Sequence, residues 1–150
     1  MCDVTRRVGH MYDLAHPQAL ERVRCETTRG TVEVEVHPEW SPFGAARFLH
    51  LVRSHFYTDL ALFRMNLWIV QFGATQRSAL PTELRALPAV KDDPPTDCGG
   101  RCTKRRLFDG ALSFAGGGLN SRTDQVRRRA CMRDVKEEHT PLLRGAFYIT

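Results

Sequence analysis

The clearest pattern in the chain is a strict alternation of valines with polar residues over positions 31–36. Val32, Val34 and Val36 fall on one side of an extended segment, and threonine or glutamate falls on the other. Because successive side chains of a strand point to opposite faces, this period of two predicts a strand with one face in the core. An Arg-Gly dipeptide just before it separates two short runs and predicts the turn of a hairpin.

A helix is predicted to follow over residues 42–54. Ser41 is a favourable N-cap, and the proline after it suits the first helical position. Four apolar residues then recur with helical spacing: Ala45, Phe48, Leu49 and Val52. Further along, short runs rich in aromatic and branched residues predict strands at about residues 62–65, 68–72 and 111–115.

The remaining segments show little periodicity. Residues 1–24 are mixed polar and charged, and we interpret them as a flexible leader. Residues 74–106 are rich in proline and glycine and indicate a long irregular excursion, with one helical turn near residues 83–87. Several strands with one early helix favour a mainly antiparallel barrel or sandwich. The chain is accordingly divided into the leader, a domain over residues 25–125 and a basic tail over residues 126–150.

Composition fits a single globular domain. Of the 150 residues, 42% are hydrophobic and 26% are charged, which is typical of a folded protein. The net charge of +5 arises in the last third, where eleven basic residues stand against five acidic ones from Arg101 onward. A nucleic-acid-binding surface would explain this excess. A solvated basic tail is the favoured interpretation, because no aromatic residues interleave with the arginines.

No stretch of the sequence approaches the roughly 20 apolar residues of a membrane span, and the N-terminus has no apolar segment of the signal-peptide kind. The five cysteines are scattered, so free thiols in a reducing compartment are the default expectation. Cys98 and Cys102 have no second Cys/His pair at ligand spacing, which disfavours a zinc site. We expect a soluble, cytoplasmic monomer that does not associate with membranes.

Three features of the sequence could carry chemistry. Arg64 and Gln71 each interrupt an apolar run. Periodicity favours a structural role, in which each side chain packs against apolar neighbours and its polar end reaches the surface. The alternative is that the two side chains are functional hydrogen-bond donors. The glycines at 116–118 lack the spacing of a phosphate-binding loop, and they equally suit the close approach of an extended ligand to the backbone. The six histidines have no serine elbow or cysteine signature beside them, which disfavours a catalytic triad.

Three blocks of sequence, in order, resemble the cyclophilin family of peptidyl-prolyl cis–trans isomerases. The first is "ETTRGTVEVEVHPEWSPFGAARFLHLVRSHFYTDLALFRM", the second is "WIVQFG" followed at a distance by "VKDDPP", and the third is "GALSFAGGGLNSRTDQ". Together they span residues 26–125, about two thirds of the chain. The resemblance implies an antiparallel β-barrel with capping helices, which binds proline-containing peptides or client proteins in a groove on one face.

The resemblance also implies roles for single residues. Arg64 would be the catalytic arginine, and Gln71 the glutamine that accompanies it. The substrate-binding positions would comprise a pocket floor, a backbone shelf and the glutamine that closes the third block: Phe63, Trp68, Ile69, Ala115, Gly116, Gly117 and Gln125. A guanidinium that hydrogen-bonds the prolyl nitrogen localises its lone pair and favours the twisted amide over the planar one, against a barrier of about 18–20 kcal/mol. No cofactor, metal or covalent step is implied.

The sequence departs from the family pattern in two places. Between Arg64 and Gln71 it is one residue shorter than the family spacing, and after Gln125 it reads Val-Arg-Arg-Arg where the family has an aromatic strand. Arg127 stands at the position of a pocket phenylalanine, and the pattern of the closing strands is missing. We therefore expect a barrel that is incomplete at its C-terminal end, with weak or lost isomerase activity. The alternatives are a non-catalytic proline-peptide binding module and a nucleic-acid binder that acts through the basic tail.

Overall fold

The computed structural model describes residues 1–8, 20–38, 40–66, 69–73, 79–93, 111–129 and 143–146. The strands in this part of the chain are β1 (Cys2–Val8), β2 (Leu20–Thr27), β3 (Gly30–Val36), β4 (Arg64–Met65), β5 (Ile69–Phe72), β6 (Leu112–Phe114), β7 (Val126–Arg129) and β8 (Leu143–Ala146). The helices are α1 (Pro42–Arg53) and α2 (Thr82–Arg85). The predicted mainly β fold is confirmed.

The first sheet has the strand order β1-β2-β3-β8. β2 and β3 form the predicted hairpin, and Gly30 at its turn has a φ of +118°, a left-handed value that favours glycine. Val34 and Val36 are buried and Val32 is half-buried, so the period-two prediction is confirmed. β8 pairs with β3 in the parallel direction.

Residues 1–24, expected to be a flexible leader, contain β1 and the start of β2. The two strands are antiparallel and place Cys2 directly opposite Cys25. A disulfide joins these cysteines, whose Cα atoms are 4.0 Å apart, so the expectation of free thiols is wrong for this pair. Cys2 and Val4 pack in the core on either side of the exposed Asp3. This is the same period of two as in β3, and the arginines that follow obscure it in the sequence.

The second sheet has the strand order β4-β5-β7-β6. β4, β5 and β6 fall within the predicted strands and are shorter than expected. The structure makes β7, which lies in the expected basic tail, a central strand paired with β5 on one side and β6 on the other. Val126 is fully buried between Phe72 and Phe114. The sequence of β7, Val-Arg-Arg-Arg, contains few residues that favour strands. Backbone pairing on both sides and the burial of Val126 stabilise the strand.

The predicted apolar stripe of α1 is buried in full: Ala45, Phe48, Leu49 and Val52. Leu51 joins it, together with Phe56 and Tyr57 just after the helix. These side chains form one core cluster with the buried residues of both sheets. The predicted helical turn in the irregular excursion is α2, which buries Leu84.

The strands described form two separate four-stranded sheets, with no pairing between one sheet and the other. Within the same residues, no helix is both long and apolar enough to cross a membrane.

Candidate functional site

The two residues expected to be catalytic lie directly opposite each other on neighbouring strands. Arg64 of β4 pairs with Gln71 of β5, and directly opposed residues of an antiparallel pair share one face of the sheet. Gln71 is buried (6% exposed), and its Nε2 donates a hydrogen bond of 2.7 Å to Oε1 of Gln125. Pairing between strands and one side-chain hydrogen bond therefore link three of the predicted site residues.

These residues lie on the face of the second sheet that is turned away from the core. The core face carries the row Phe72, Val126 and Phe114, and successive residues of a strand alternate between faces. Gln71 is one residue out of step with that row, which places it on the outer face. Its β7 pairing partner is Arg127.

A tight turn sets the pairing of Arg64 with Gln71. The backbone N–H of Asn66 donates to the carbonyl of Ile69 (3.0 Å), and the N–H of Ile69 donates to Oδ1 of Asn66 (2.9 Å). Because turn length fixes hairpin register, this short connection places Arg64 opposite Gln71. Trp68, expected in the pocket floor, lies outside the described residues, and Ile69 is half-buried.

Arg64 lies on an edge strand and is exposed. Its guanidinium forms no hydrogen bond or ion pair with another residue in the described part of the chain. Three apolar side chains beside it are also exposed: Leu62 (59%), Phe63 (48%) and Met65 (72%). Phe63, expected to bind substrate, is thus about half exposed.

The predicted backbone shelf is only partly available to a ligand. The N–H of Ala115 donates to the carbonyl of Gln125 (2.8 Å), and the carbonyl of Ala115 accepts the N–H of Thr123 (2.7 Å). The N–H of Gly117 donates to the Ser121 hydroxyl (3.0 Å). Gly116 is exposed, and neither its N–H nor its carbonyl is bonded to any residue that the structure describes. Of the three shelf residues, Gly116 therefore has both backbone groups open to an extended peptide.

Nothing in the local geometry requires glycine at position 116. Its φ lies outside the left-handed range, and a Cβ built there would come no closer than 3.4 Å to the Cα of Arg122, an ordinary contact. A residue with a Cβ would therefore fit at this position.

Asp93 ties the loop after β6 to the start of α1. Its carboxylate accepts hydrogen bonds from the Ser41 hydroxyl, from the backbone N–H of Phe43 (2.6 Å) and from Nη1 of Arg122 (2.8 Å). Ser41, predicted to cap the helix with its own side chain, makes no such bond, and Asp93 supplies the acceptor instead. The side chains of Asp93 and Arg122 are 6% and 3% exposed, so this ion pair is shielded from water.

The neighbouring aspartate strengthens this connection. The N–H of Asp92 donates to Oδ1 of Asn120 (2.8 Å), and the N–H of Asn120 donates to Oδ2 of Asp92 (3.0 Å). The N–H of Val90 also donates to the Arg122 carbonyl (2.9 Å). We call Asp92, Asp93, Asn120 and Arg122 the aspartate clasp; it holds the glycine loop in place against α1.

The opposite end of the glycine loop is fixed at Asp124. Its carboxylate accepts a hydrogen bond of 2.8 Å from Arg47 of α1, and its carbonyl accepts one of 3.2 Å from the Tyr57 hydroxyl. Burial of Tyr57, with a further contribution from the charge of Asp124, raises the pKa of its phenol well above the ordinary value. Gly73 allows the close approach of β5 to this point: its φ is +91°, and a Cβ there would lie 2.9 Å from the Asp124 carbonyl.

The sequence analysis used the clasp residues only as letters in the "VKDDPP" and "SRTDQ" blocks. It assigned no structural role to Asp93 or Arg122. The only sequence signal is the pair of adjacent aspartates in "VKDDPP", and nothing in the sequence identifies an arginine 29 positions away as the partner of Asp93.

No family model and no curated protein matches this chain. Among the described residues, no three His, Cys, Asp or Glu side chains are grouped so that they could hold a metal ion. Cys98 and Cys102 lie outside these residues.

Proposed function

We propose that this protein is a peptidyl-prolyl cis–trans isomerase that acts on X–Pro bonds of proteins, built on an incomplete cyclophilin-like barrel. The observation that carries the proposal is the pairing of Arg64 with Gln71 on the outer face, with Gln71 fixed by Gln125. These are the residues for which the resemblance implies catalytic and substrate-binding roles.

The chemistry requires a hydrogen-bond donor that a bound peptide can reach. An exposed guanidinium on an edge strand can reach a peptide that lies across the sheet. Hydrogen bonding to the prolyl nitrogen strengthens as that nitrogen becomes pyramidal, so the interaction favours the twisted transition state over the planar amide. Gly116 offers an N–H and a carbonyl to the peptide backbone, and Phe63 and Ile69 offer apolar surface to the proline ring.

The site is expected to be weaker than that of a complete family member. Arg127 lies opposite Gln71, where the resemblance places an aromatic wall of the pocket. A charged residue at this position supplies less apolar contact to a proline ring than phenylalanine does.

A protease-coupled assay with an Ala-Ala-Pro-Phe peptide tests the proposal. We expect measurable acceleration by the protein and a loss of about 100-fold in Arg64→Ala, a typical cost of removing one transition-state donor. Arg85→Ala is the matched control, because Arg85 is an exposed arginine of α2 that donates a hydrogen bond to the Thr82 hydroxyl of the same helix. Equal rates for Arg64→Ala and the unmodified chain would contradict the proposal.

The second candidate is a proline-peptide binding module without catalysis. The internal hydrogen bonds of Ala115 favour this candidate, because they occupy the backbone groups of that residue. Gly116 would then bind the peptide backbone without rotation of the X–Pro bond. Titration of the same peptide, followed by chemical shifts, separates the two functions. Saturable binding without acceleration supports the module, whereas binding with acceleration supports the isomerase.

A further inference from the structure

The disulfide between Cys2 and Cys25 joins two neighbouring strands at one end of the first sheet. β1 comes first in the strand order of that sheet, with β2 beside it. The two cysteines are 23 positions apart in the sequence. Cys25 is half-buried, and its neighbours Arg24 and Glu26 are exposed. A small thiol can therefore approach the disulfide from this side of the sheet.

The pairing of β1 with β2 is interrupted a short distance from the disulfide. Val4 lies opposite Val23, but the register then shifts, and Thr5 has no partner in β2. An extra residue of this kind disrupts the ladder of hydrogen bonds between two strands. Residues 1–4 are thus a short segment that is held by the disulfide and by the packing of Cys2 and Val4 in the core.

Alternate residues of β2 form their backbone hydrogen bonds with different strands. The N–H of Glu26 donates to the carbonyl of Met1 (2.9 Å), and Arg24, two residues earlier, is directed toward β1 by the same alternation. Val23 and Cys25 are one residue out of step, so their N–H groups are directed toward β3. A separation of β1 from β2 therefore frees the amides of Arg24 and Glu26 and leaves those of Val23 and Cys25 bonded.

We propose that the Cys2–Cys25 disulfide is a redox latch: a dithiol reductant opens it, and residues 1–4 then separate from β2. One thiolate of the reductant attacks a sulfur of the disulfide, and its second thiol resolves the mixed disulfide. The protein gains two electrons and two protons as two cysteine thiols, and the reductant leaves as a disulfide. Separation uncovers Val23 and the backbone edge of β2, which can then pair with another extended segment. The inference does not depend on the proposed isomerase function.

Amide hydrogen exchange, resolved by residue with NMR, tests the latch with and without excess dithiothreitol. Reduction removes a cross-link that constrains the open state, so we expect exchange at Arg24 and Glu26 to accelerate about 100-fold. Exchange at Val23 and Cys25 should change by less than about threefold. Equal acceleration at all four residues means that the disulfide holds the whole sheet, and unchanged rates mean that pairing alone holds β1. Either result overturns the inference.

Serine variants separate this disulfide from the other cysteines of the chain. Cys2→Ser/Cys25→Ser should show the exchange rates of the reduced protein without any reductant, and dithiothreitol should not change them. Cys98→Ser/Cys102→Ser/Cys131→Ser is the control and should respond to reductant as the unmodified chain does. Loss of the response in this control, or free thiols at both Cys2 and Cys25 in an oxidised sample, overturns the inference. If the double variant does not fold, reduction of the control variant decides the question.

Discussion

Replacing Asp93 with alanine removes the central group of the aspartate clasp. The carboxylate accepts hydrogen bonds from Arg122, from the N–H of Phe43 and from the Ser41 hydroxyl, and its side chain is 6% exposed. Its loss leaves a guanidinium that is 3% exposed without its nearest anion. Breaking a buried ion pair from one side costs about 3–5 kcal/mol, and losing a helix cap costs about 1 kcal/mol. Because these contributions overlap, we expect a loss of about 4 kcal/mol.

Urea unfolding followed by far-UV circular dichroism measures this loss. Asp92→Ala is the matched control: its side chain is 34% exposed and 3.7 Å from Nε of Arg122, so we expect a loss of at most about 1 kcal/mol. Adding Arg122→Met to Asp93→Ala should restore part of the stability, because the uncompensated buried charge is then gone. Equal losses for the two aspartates, or a loss below about 1 kcal/mol for Asp93→Ala, would refute the central role of Asp93 in the clasp.

Two further predictions concern the same part of the fold. Gly73→Ala should lower the free energy of unfolding in urea by at least about 2 kcal/mol, because residue 73 has a left-handed φ and its new Cβ would clash with Asp124. Gly117→Ala is the control: a Cβ at residue 117 would have no atom within 4 Å, so we expect a change of about 0.5 kcal/mol or less. The raised pKa of Tyr57 means that the folded state keeps a proton that the unfolded state releases. The contribution of the protonated Tyr57 to the free energy of unfolding is therefore complete below about pH 10 and is lost as the pH rises toward the folded pKa. The melting temperature of the unmodified protein should fall over this pH range because of Tyr57, and the melting temperature of Tyr57→Phe should not show this part of the fall.

Local pattern predicted the elements that have strong periodicity. The valines of β3 recur with a period of two and the apolar residues of α1 recur with helical spacing, and both sets face the core as predicted. Burial of one face determines each pattern. β1 was missed because only Cys2 and Val4 carry its apolar period before two arginines interrupt it. β7 was missed because its pairing with β5 and β6, and not its own composition, makes it a strand.

The candidate site was likewise predictable only in part from the sequence. Arg64 and Gln71 were identified from a resemblance, and their pairing across a hairpin follows from the short turn between them. The clasp could not be predicted, because the partners of Asp93 belong to segments that meet only in the folded chain. Nor does the sequence reveal that Ala115 uses its backbone groups internally while Gly116 does not.

Exchange spectroscopy by NMR on an Ala-Ala-Pro-Phe peptide tests the central claim most directly, because it observes cis–trans exchange without a coupled protease. Uncatalysed exchange takes about 10–100 s, so exchange peaks on a subsecond timescale report catalysis. The account predicts such peaks with the unmodified protein and their loss in Arg64→Lys, which keeps the charge but not the planar guanidinium. Peaks of equal intensity with Arg64→Lys, or none with the unmodified protein, would contradict it.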